Sequence, residues 1–579
     1  MWKKNRNTKT NKQNIEMKRI ILTIIAIASI TTLKAQKHEL TYQSYTKDVA
    51  KQDTSLTIIY RNQDEISIQS DEGIMQYNPI QGLAHETLYI NYKTKTLYRQ
   101  LEYQDTEAYL ATSTIPEKTL EPQGEEEVNG YKCKKYRTSI NSNTIELWIT
   151  EDLKMNATPF LQFSNLPGVL IKFQRNGSSI TELSTIKPLS KKAQINTQPL
   201  TNATQVTFRE LDQIEKDKKV ITTNIFTKQR IHWGDTIKHQ GTMPQDTTIH
   251  FAGGTLILKK LNLQALPTHY QYFLELTTQS SGDAYDRTGS IFLIPEDSLT
   301  FYTALTEGIE NLPYFESKKG SKYQGMHLTN QYTPLVELIR FFTPFGVGHF
   351  NDRVTLQGLE WEEEVYYKQE ITDLRQYLQG EVMIGAFIGN YDGGGHLLSL
   401  DLKAYPGDFV AEPMQNNLWT LPLFNTCNVM EMAGQNYPHF FDTDTLTVQF
   451  YLPEGVTNLR LRYITTGHGG WGGGDEFNPK PNHIIIDDTL HYQYTPWRED
   501  CGRYREWNPV SGNFWNGLSS SDLSRSGWCP GTATQPTYIY LPDLAPGTHT
   551  IKIAIPQGQA EGGSFSAWSV SGILIGDKK

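Results

Sequence analysis

What most constrains this chain is how often its apolar residues alternate with polar ones. Segments such as "SLTIIY", "TLILKKLNL", "TLTVQFYL", "NLRLRYITT" and "THTIKIAIP" put every second apolar side chain on one face, and clusters of Gly, Pro, Asn and Asp separate them. That period belongs to half-buried strands, and no long amphipathic helix intervenes to carry parallel crossovers. Antiparallel sandwiches or jelly rolls are therefore expected. At 579 residues the strands are too many for one core. We place a first β domain over 36–217, a second β region over 218–408 and a third over 409–579, with the charged, helix-prone "TFRELDQIEKDKKV" (207–220) standing as linker at the first boundary.

Lys and Arg number 54 against 63 Asp and Glu, a net charge of −9, so nothing argues for nucleic acid as a partner. The N-terminus carries an address. Met17-Lys18-Arg19, the apolar "IILTIIAIASITTL" and a small residue at Ala35 give the pattern of a signal peptide within 1–35, too short in its apolar run for a membrane anchor. No Cys follows the expected cut, which excludes a lipid anchor there. The expected localisation is export, to the periplasm or outside the cell. Of four cysteines, none has zinc-ligand spacing; Cys501 and Cys529 could close one loop worth about 3.5 kcal/mol, and Cys133 and Cys427 stay unassigned.

Four stretches carry candidate chemistry. "TTGHGGWGGGDEFNPK" (465–480) delivers Asp475 and Glu476 after a dense glycine run that includes His468 and Trp471. Its G-x-G-x-x-G is not a dinucleotide site, because two prolines and no helical period follow. "SSGDAYDRTGSIFLIP" sets Asp283, Tyr285, Asp286 and Arg287 on a turn that enters a strand. "GNYDGGGHLL" offers Asn390, Asp392 and His396, and "NFWNGLSSSDLSRSGWCPG" offers Arg525 and Trp528, a guanidinium fork and an aromatic face. The plain alternatives are solvated loops and turn caps. A divalent metal held by Asp392, His396 and His468 is a minor possibility; no cofactor is expected. Without a G-x-S-x-G elbow or H-E-x-x-H helix, paired carboxylates are the best remaining chemistry.

Taken together, "HGGWGGGDEFNPKPNHIIIDDTLHYQYTPWREDCG" and "NFWNGLSSSDLSRSGWCPGT" resemble the C-terminal domain of bacterial peptide-N-glycosidase F enzymes, and "GDAYDRTGSIFLI" with "IRFFTPFGVG" resembles their N-terminal domain. The resemblance implies two adjacent antiparallel jelly rolls, preceded here by a separate antiparallel β domain, in an all-β protein. It implies hydrolysis of the amide joining the innermost GlcNAc of an N-glycan to Asn, with Asp286 as principal catalytic residue and Glu476 as the second acid from the other domain. Tyr285, Arg287, Asp392, His468, Trp471, Arg525 and Trp528 are the expected substrate-binding residues, and a family disulfide corresponds to Cys501 with Cys529. Residues 36–217 resemble an exported β domain named for a Gly-Leu-Pro-Gly-Leu-Ile motif, altered here to Leu166-Pro167-Gly168-Val169-Leu170. An added N-terminal domain marks the subgroup that accepts α1,3 core-fucosylated glycans.

The implied partners are N-glycosylated proteins and glycopeptides, acted on by a monomer without a stable membrane anchor. The family's supporting Glu on a late strand of the first jelly roll has no counterpart; Asn390 or Asp392 stands there instead. That departure is the argument for an alternative, a glycan-binding or adhesion protein that has lost catalysis. An enzyme assisted by metal at His396 and His468 is a second alternative.

Overall fold

In Lys37–Thr46 the side chains of His38, Leu40 and Tyr42 are buried and their neighbours are more exposed, so the period-two pattern becomes one covered face. Leu40 sits opposite Ile59 on one side and Ile186 on the other. The computed structural model describes residues 37–47, 55–78, 82–104, 107–234, 239–267, 269–407, 418–469, 474–511, 519–541, 543–558 and 566–578. The expected leader and signal peptide lie outside the described residues, as does Trp471. Among the described residues no helix is long and apolar enough to cross a membrane. The described chain forms two compact units that meet in sequence at Lys219 and Val220.

The first unit is one 13-stranded sheet whose strands pair antiparallel except where the edge strand Thr204–Val206 joins Ala108–Thr114. The segment expected as a linker is the helix Phe208–Lys219, and it belongs to this unit. Its first turn is closed reciprocally: the Glu210 N–H donates to Thr207 Oγ1 (3.1 Å) and the Thr207 N–H to Glu210 Oε2 (2.7 Å). Leu211 is buried against Ala84, Leu101 and Tyr103, while Arg99 pairs with Asp212 and Glu215. The apolar stripe is what turns a linker into a packed element.

The second unit contains two antiparallel sandwiches. The first pairs the sheet of Ile221–Ile231, His396–Pro406, Tyr270–Ser280 and Val365–Glu370 with the sheet built on Leu256–Leu263, Gly380–Ile388, Thr288–Ile294 and Val336–Phe342. Leu274, Ile291, Ile384 and Leu400 lie in the core between them. In the second, Leu418–Asn425, Ala567–Lys578, Val456–His468 and Thr537–Tyr540 face Leu446–Leu452, Gly547–Ala554, Asn482–Ile486 and Thr489–Tyr494 around Val448, Leu461, Ile484 and Leu574. The two are stitched together: Ala533–Thr534, from the second sandwich, pairs with Phe341 and Arg340 of the first.

The seam between them holds a fully buried ion pair. All of Val336–Phe342 is buried, and residues three apart on a regular strand face opposite ways. A bulge solves this: Ile339 opposes Ile291 but Glu337 opposes Phe292, so Leu338 is the extra residue and Glu337 and Arg340 share a face. Arg340 Nε and Nη2 donate to the Glu337 carboxylate at 3.0 and 2.7 Å. From the second sandwich, the Ser569 carbonyl and Thr466 Oγ1 accept from Arg340 Nη1, and the Ser571 hydroxyl donates to Glu337, as does Ser290 of the first. Arg462 completes the seam, donating to the carbonyls of Glu337 and Leu338 at 2.9 Å each. Removing one member strands the other in a low-dielectric interior. Arg340→Met is expected to lower stability by about 3–5 kcal/mol in urea unfolding, and adding Glu337→Gln to restore much of it; a single variant within about 1 kcal/mol of the parent would refute the role given to this pair.

Candidate active site

The turn that leaves Tyr270–Ser280 and enters Thr288–Ile294 is fixed by its own polar groups. Ser280 Oγ donates to the Asp283 carbonyl (2.6 Å) and the Tyr285 N–H to Asp283 Oδ1 (3.0 Å). Gly282 (φ 138°) lies so close to the second glycine loop that a Cβ on Gly394 would stand 2.6 Å from its carbonyl carbon. Asp283, fully buried, takes Arg287 in a fork, Nε to Oδ2 at 2.7 Å and Nη2 to Oδ1 at 3.1 Å. With Asp283 and Arg287 spent on each other, Asp286 is left to face the other sandwich.

There it meets Arg525, 1% exposed. Arg525 Nε donates to Glu476 Oε1 at 2.9 Å and Nη2 reaches Asp286 Oδ2 at 3.5 Å, while Nη1 is anchored on the carbonyls of Ser520 and Leu523. One guanidinium thus gathers a carboxylate from each sandwich. Its Cζ lies 4.9 Å from the ring centroid of Trp528 and 5.0 Å from that of Phe477. The disulfide Cys501–Cys529 ties down the segment that carries it.

The adjacent acids of the glycine-rich stretch do different work. Asp475 is wholly buried and accepts from Trp568 Nε1 (2.8 Å) and the Gly558 N–H (2.9 Å), so it holds the loop. Glu476 is the one that opens on the cleft. Gly467 has no room for a side chain, since a Cβ would stand 2.8 Å from both Ser526 and Trp568. The cleft, about 400 Å³, is lined by Asp286, Glu476, Tyr391, Glu431, His468 and Trp568 among others. Burial raises the carboxyls of both Asp286 and Glu476; Arg525 opposes the rise and, for Asp286, the charge of Glu476 adds to it, bringing it up to about 7. A largely buried acid that still opens on the cleft and changes charge near neutrality is suited to moving protons.

Three family models match the chain: "N-glycanase peptide, N-terminal domain" over residues 40–214, "Peptide-N-glycosidase F, N terminal" over 222–404 and "Peptide-N-glycosidase F, C terminal" over 436–575. A solved structure of PNGF-II is 42% identical, with a TM-score of 0.80 over 94% of this chain and 100% of its own. The chain belongs to the peptide-N-glycosidase F family. A second crystal form of PNGF-II gives 42% identity and a TM-score of 0.77 over 94% and 99% of the two chains. PNGase F from Flavobacterium meningosepticum, described as a glycosylasparaginase, is 16% identical with a TM-score of 0.41, covering 62% of this chain and 96% of its own. No curated protein sequence matches.

Within this family frame the remaining expected residues fall into groups. Tyr285 and Tyr391, 58% and 48% exposed, flank the Arg287 guanidinium at 5.0 and 5.2 Å and form an aromatic rim beside Asp286. Trp528 is not a glycan-stacking surface: it is buried, donates from Nε1 to the Gly467 carbonyl (2.9 Å) and stacks on Phe342 at 4.1 Å, making it the floor under Arg525. His468 is kept neutral, its pKa lowered by burial and by Arg340 to about 3, with Nε2 2.8 Å from Thr466 Oγ1. Asp392 spends Oδ1 on the N–H groups of Gly394 and Gly395, and Oδ2 lies 3.9 Å from Arg287. His396 is buried with Nε2 3.6 Å from Asp283. So Asp392, His396 and His468 do not converge, and no group of three or more His, Cys, Asp or Glu placed to hold a metal occurs among the described residues.

One acid in the cleft went unread in the sequence. Glu431 stands on the short turn Glu431–Ala433 of the second sandwich, accepts from Tyr391 Oη at 2.8 Å and is raised by burial. The expected place for a third acid is taken by Asn390, which is buried and structural, donating to the Ile231 carbonyl and accepting from the Trp233 N–H. Because the folded Asp286 carboxyl keeps a proton that the unfolded one has lost, its contribution to stability falls as pH rises from about 4 to about 7. Carboxyl-carbon NMR of Asp286 should place its midpoint near 7, move it down in Glu476→Gln and up in Arg525→Met; an ordinary carboxylate midpoint, or shifts of opposite sign, would contradict this electrostatic account.

Proposed function

We propose that the protein hydrolyses the amide between the innermost GlcNAc of an N-glycan and its Asn, leaving Asp and releasing the glycan as a glycosylamine. The observation that carries this reading is the single buried guanidinium holding Asp286 and Glu476 from opposite sandwiches at one cleft. An unactivated amide needs an oriented water, a base and a proton for the leaving nitrogen. Ionised Asp286 takes a proton from water as its oxygen attacks the amide carbonyl carbon. The tetrahedral oxyanion is stabilised by Arg525, the C–N bond breaks, and the proton held by Asp286 passes to the nitrogen. The 1-amino sugar then exchanges ammonia for water. Glu476 and Glu431 hold the polar groups of the first sugars, and the rim of Tyr285 and Tyr391 supplies stacking faces.

The substrates are N-glycosylated proteins and glycopeptides, met outside the cytoplasm by an exported, monomeric chain that uses no metal. The 42% identity to PNGF-II and the matched N-terminal family model support placing it with family members that carry the added N-terminal domain; acceptance of α1,3 core fucose is part of the proposal. The glycan-binding alternative rests on a missing third acid, and the presence of Glu431 on the same cleft supports the hydrolytic reading instead. Asp286→Asn is expected to cut kcat by about 10³-fold or more and Glu431→Gln by about 10²-fold, with thermal unfolding little changed. Mass spectrometry of paired glycopeptides, with and without α1,3 core fucose, should register Asn-to-Asp conversion of both; undiminished conversion by Asp286→Asn would remove the assignment, and conversion of the unfucosylated peptide alone would remove the subgroup.

A further inference from the structure

A second concavity of about 1050 Å³ runs along the junction of the two sandwiches, and none of its lining residues lines the acid cleft. It lies toward the Phe273 end of Tyr270–Ser280 and the Thr457 end of Val456–His468, whereas the acids gather at the opposite ends of those strands. Two edge strands border it, Val365–Glu370 and Thr537–Tyr540. The latter turns two rings outward, Tyr538 at 41% and Tyr540 at 69% exposed. Tyr538 is held in place from across the junction, its hydroxyl donating to Asp373 Oδ2 at 2.6 Å, and Phe273 is braced by the Lys368 ammonium at 4.8 Å.

The chemistry of the lining selects a ligand class. Lys368, Arg375 and Arg460 are balanced by Glu370, Asp373 and Asp577, so neither an anion nor a cation is favoured. Asn458 and Gln535, both exposed on the lining, add amide groups that donate and accept. Exposed rings beside a balanced set of donors and acceptors fit a chain of pyranose rings, whose C–H faces stack while hydroxyls both donate and accept. The volume is at the upper end for small-ligand sites and suits several sugar units. We propose that this groove binds a neutral oligosaccharide, as a site separate from the acid cleft and independent of whether that cleft is an amidase.

The test is calorimetric titration of the full chain with a mannose-terminated N-glycan already released from its peptide, which has no scissile amide, and in parallel with a cello-oligosaccharide. Two independent sites are expected for the N-glycan, one weakened about tenfold or more by Tyr540→Ala, by Tyr538→Ala and by Arg460→Ala but retained in Tyr540→Phe, the other weakened only by Tyr285→Ala. Groove binding of the cello-oligosaccharide as well would assign the site to neutral glycans in general; binding of the N-glycan alone would assign it to substrate antennae. A single site lost in Tyr285→Ala and indifferent to the groove variants, or groove binding of a sugar-free peptide in place of either glycan, would overturn the proposal.

Discussion

A carboxylate and a guanidinium sealed from water, Glu337 and Arg340, fasten one sandwich to the next, and the arrangement of the cleft follows from that fastening. Such a pair gains little over apolar packing, but it tolerates only one geometry, because each oxygen and N–H that is misplaced stays unsatisfied. Hydroxyls and carbonyls from both sides satisfy them. The seam therefore fixes the offset between two sandwiches that also share apolar packing, with Ile573 and Ile575 of the second reaching the core of the first. Asp286 and Glu476 belong to different halves, so their common reach to Arg525 is set by a contact buried elsewhere in the interface.

At the cleft itself the economy lies in how charges are divided. Each loop brings two acids and uses one as structure: Asp283 neutralises Arg287, and Asp475 ties its loop to Trp568 and Gly558. The remaining acids share a single arginine. Burial is the main reason these acids resist ionisation; for Asp286 the neighbouring charge of Glu476 adds to it, and the one shared guanidinium offsets it only in part. The glycines serve close approach: Gly282 against Gly394, and Gly467 against Trp568 and Ser526, are contacts that a Cβ would prevent.

The all-β class could be read directly, because strand alternation survives in nearly every sheet, and Asp286, Glu476 and Arg525 could be read because they sit in distinctive turns. What escaped depended on distance in the chain. Glu431 stands in "NVMEMAG", a single acid among apolar residues with no local pattern, and only its meeting with Tyr391 across the junction gives it meaning. The bulge at Leu338 is invisible in a run where every residue is buried. Trp528 carried the right composition for a sugar-stacking face, but the sequence cannot say that Phe342 already covers it. The helix Phe208–Lys219 was recognisable as a helix, and its attachment to the first unit was hidden because one buried Leu211 decides it.

The strand Ala567–Lys578 supplies the Ser569 carbonyl and the Ser571 hydroxyl to the seam, and it lies between Leu418–Asn425 and Val456–His468 in its sheet. It is the last of the described strands to leave the ribosome. Until it arrives, the second sandwich lacks an inner strand and Glu337 and Arg340 lack partners that close around them. A chain cut short before this strand would therefore lose two of the seam's contacts from the second sandwich together with an inner strand of that sheet, so the seam and the sheet stand or fall with the same twelve residues.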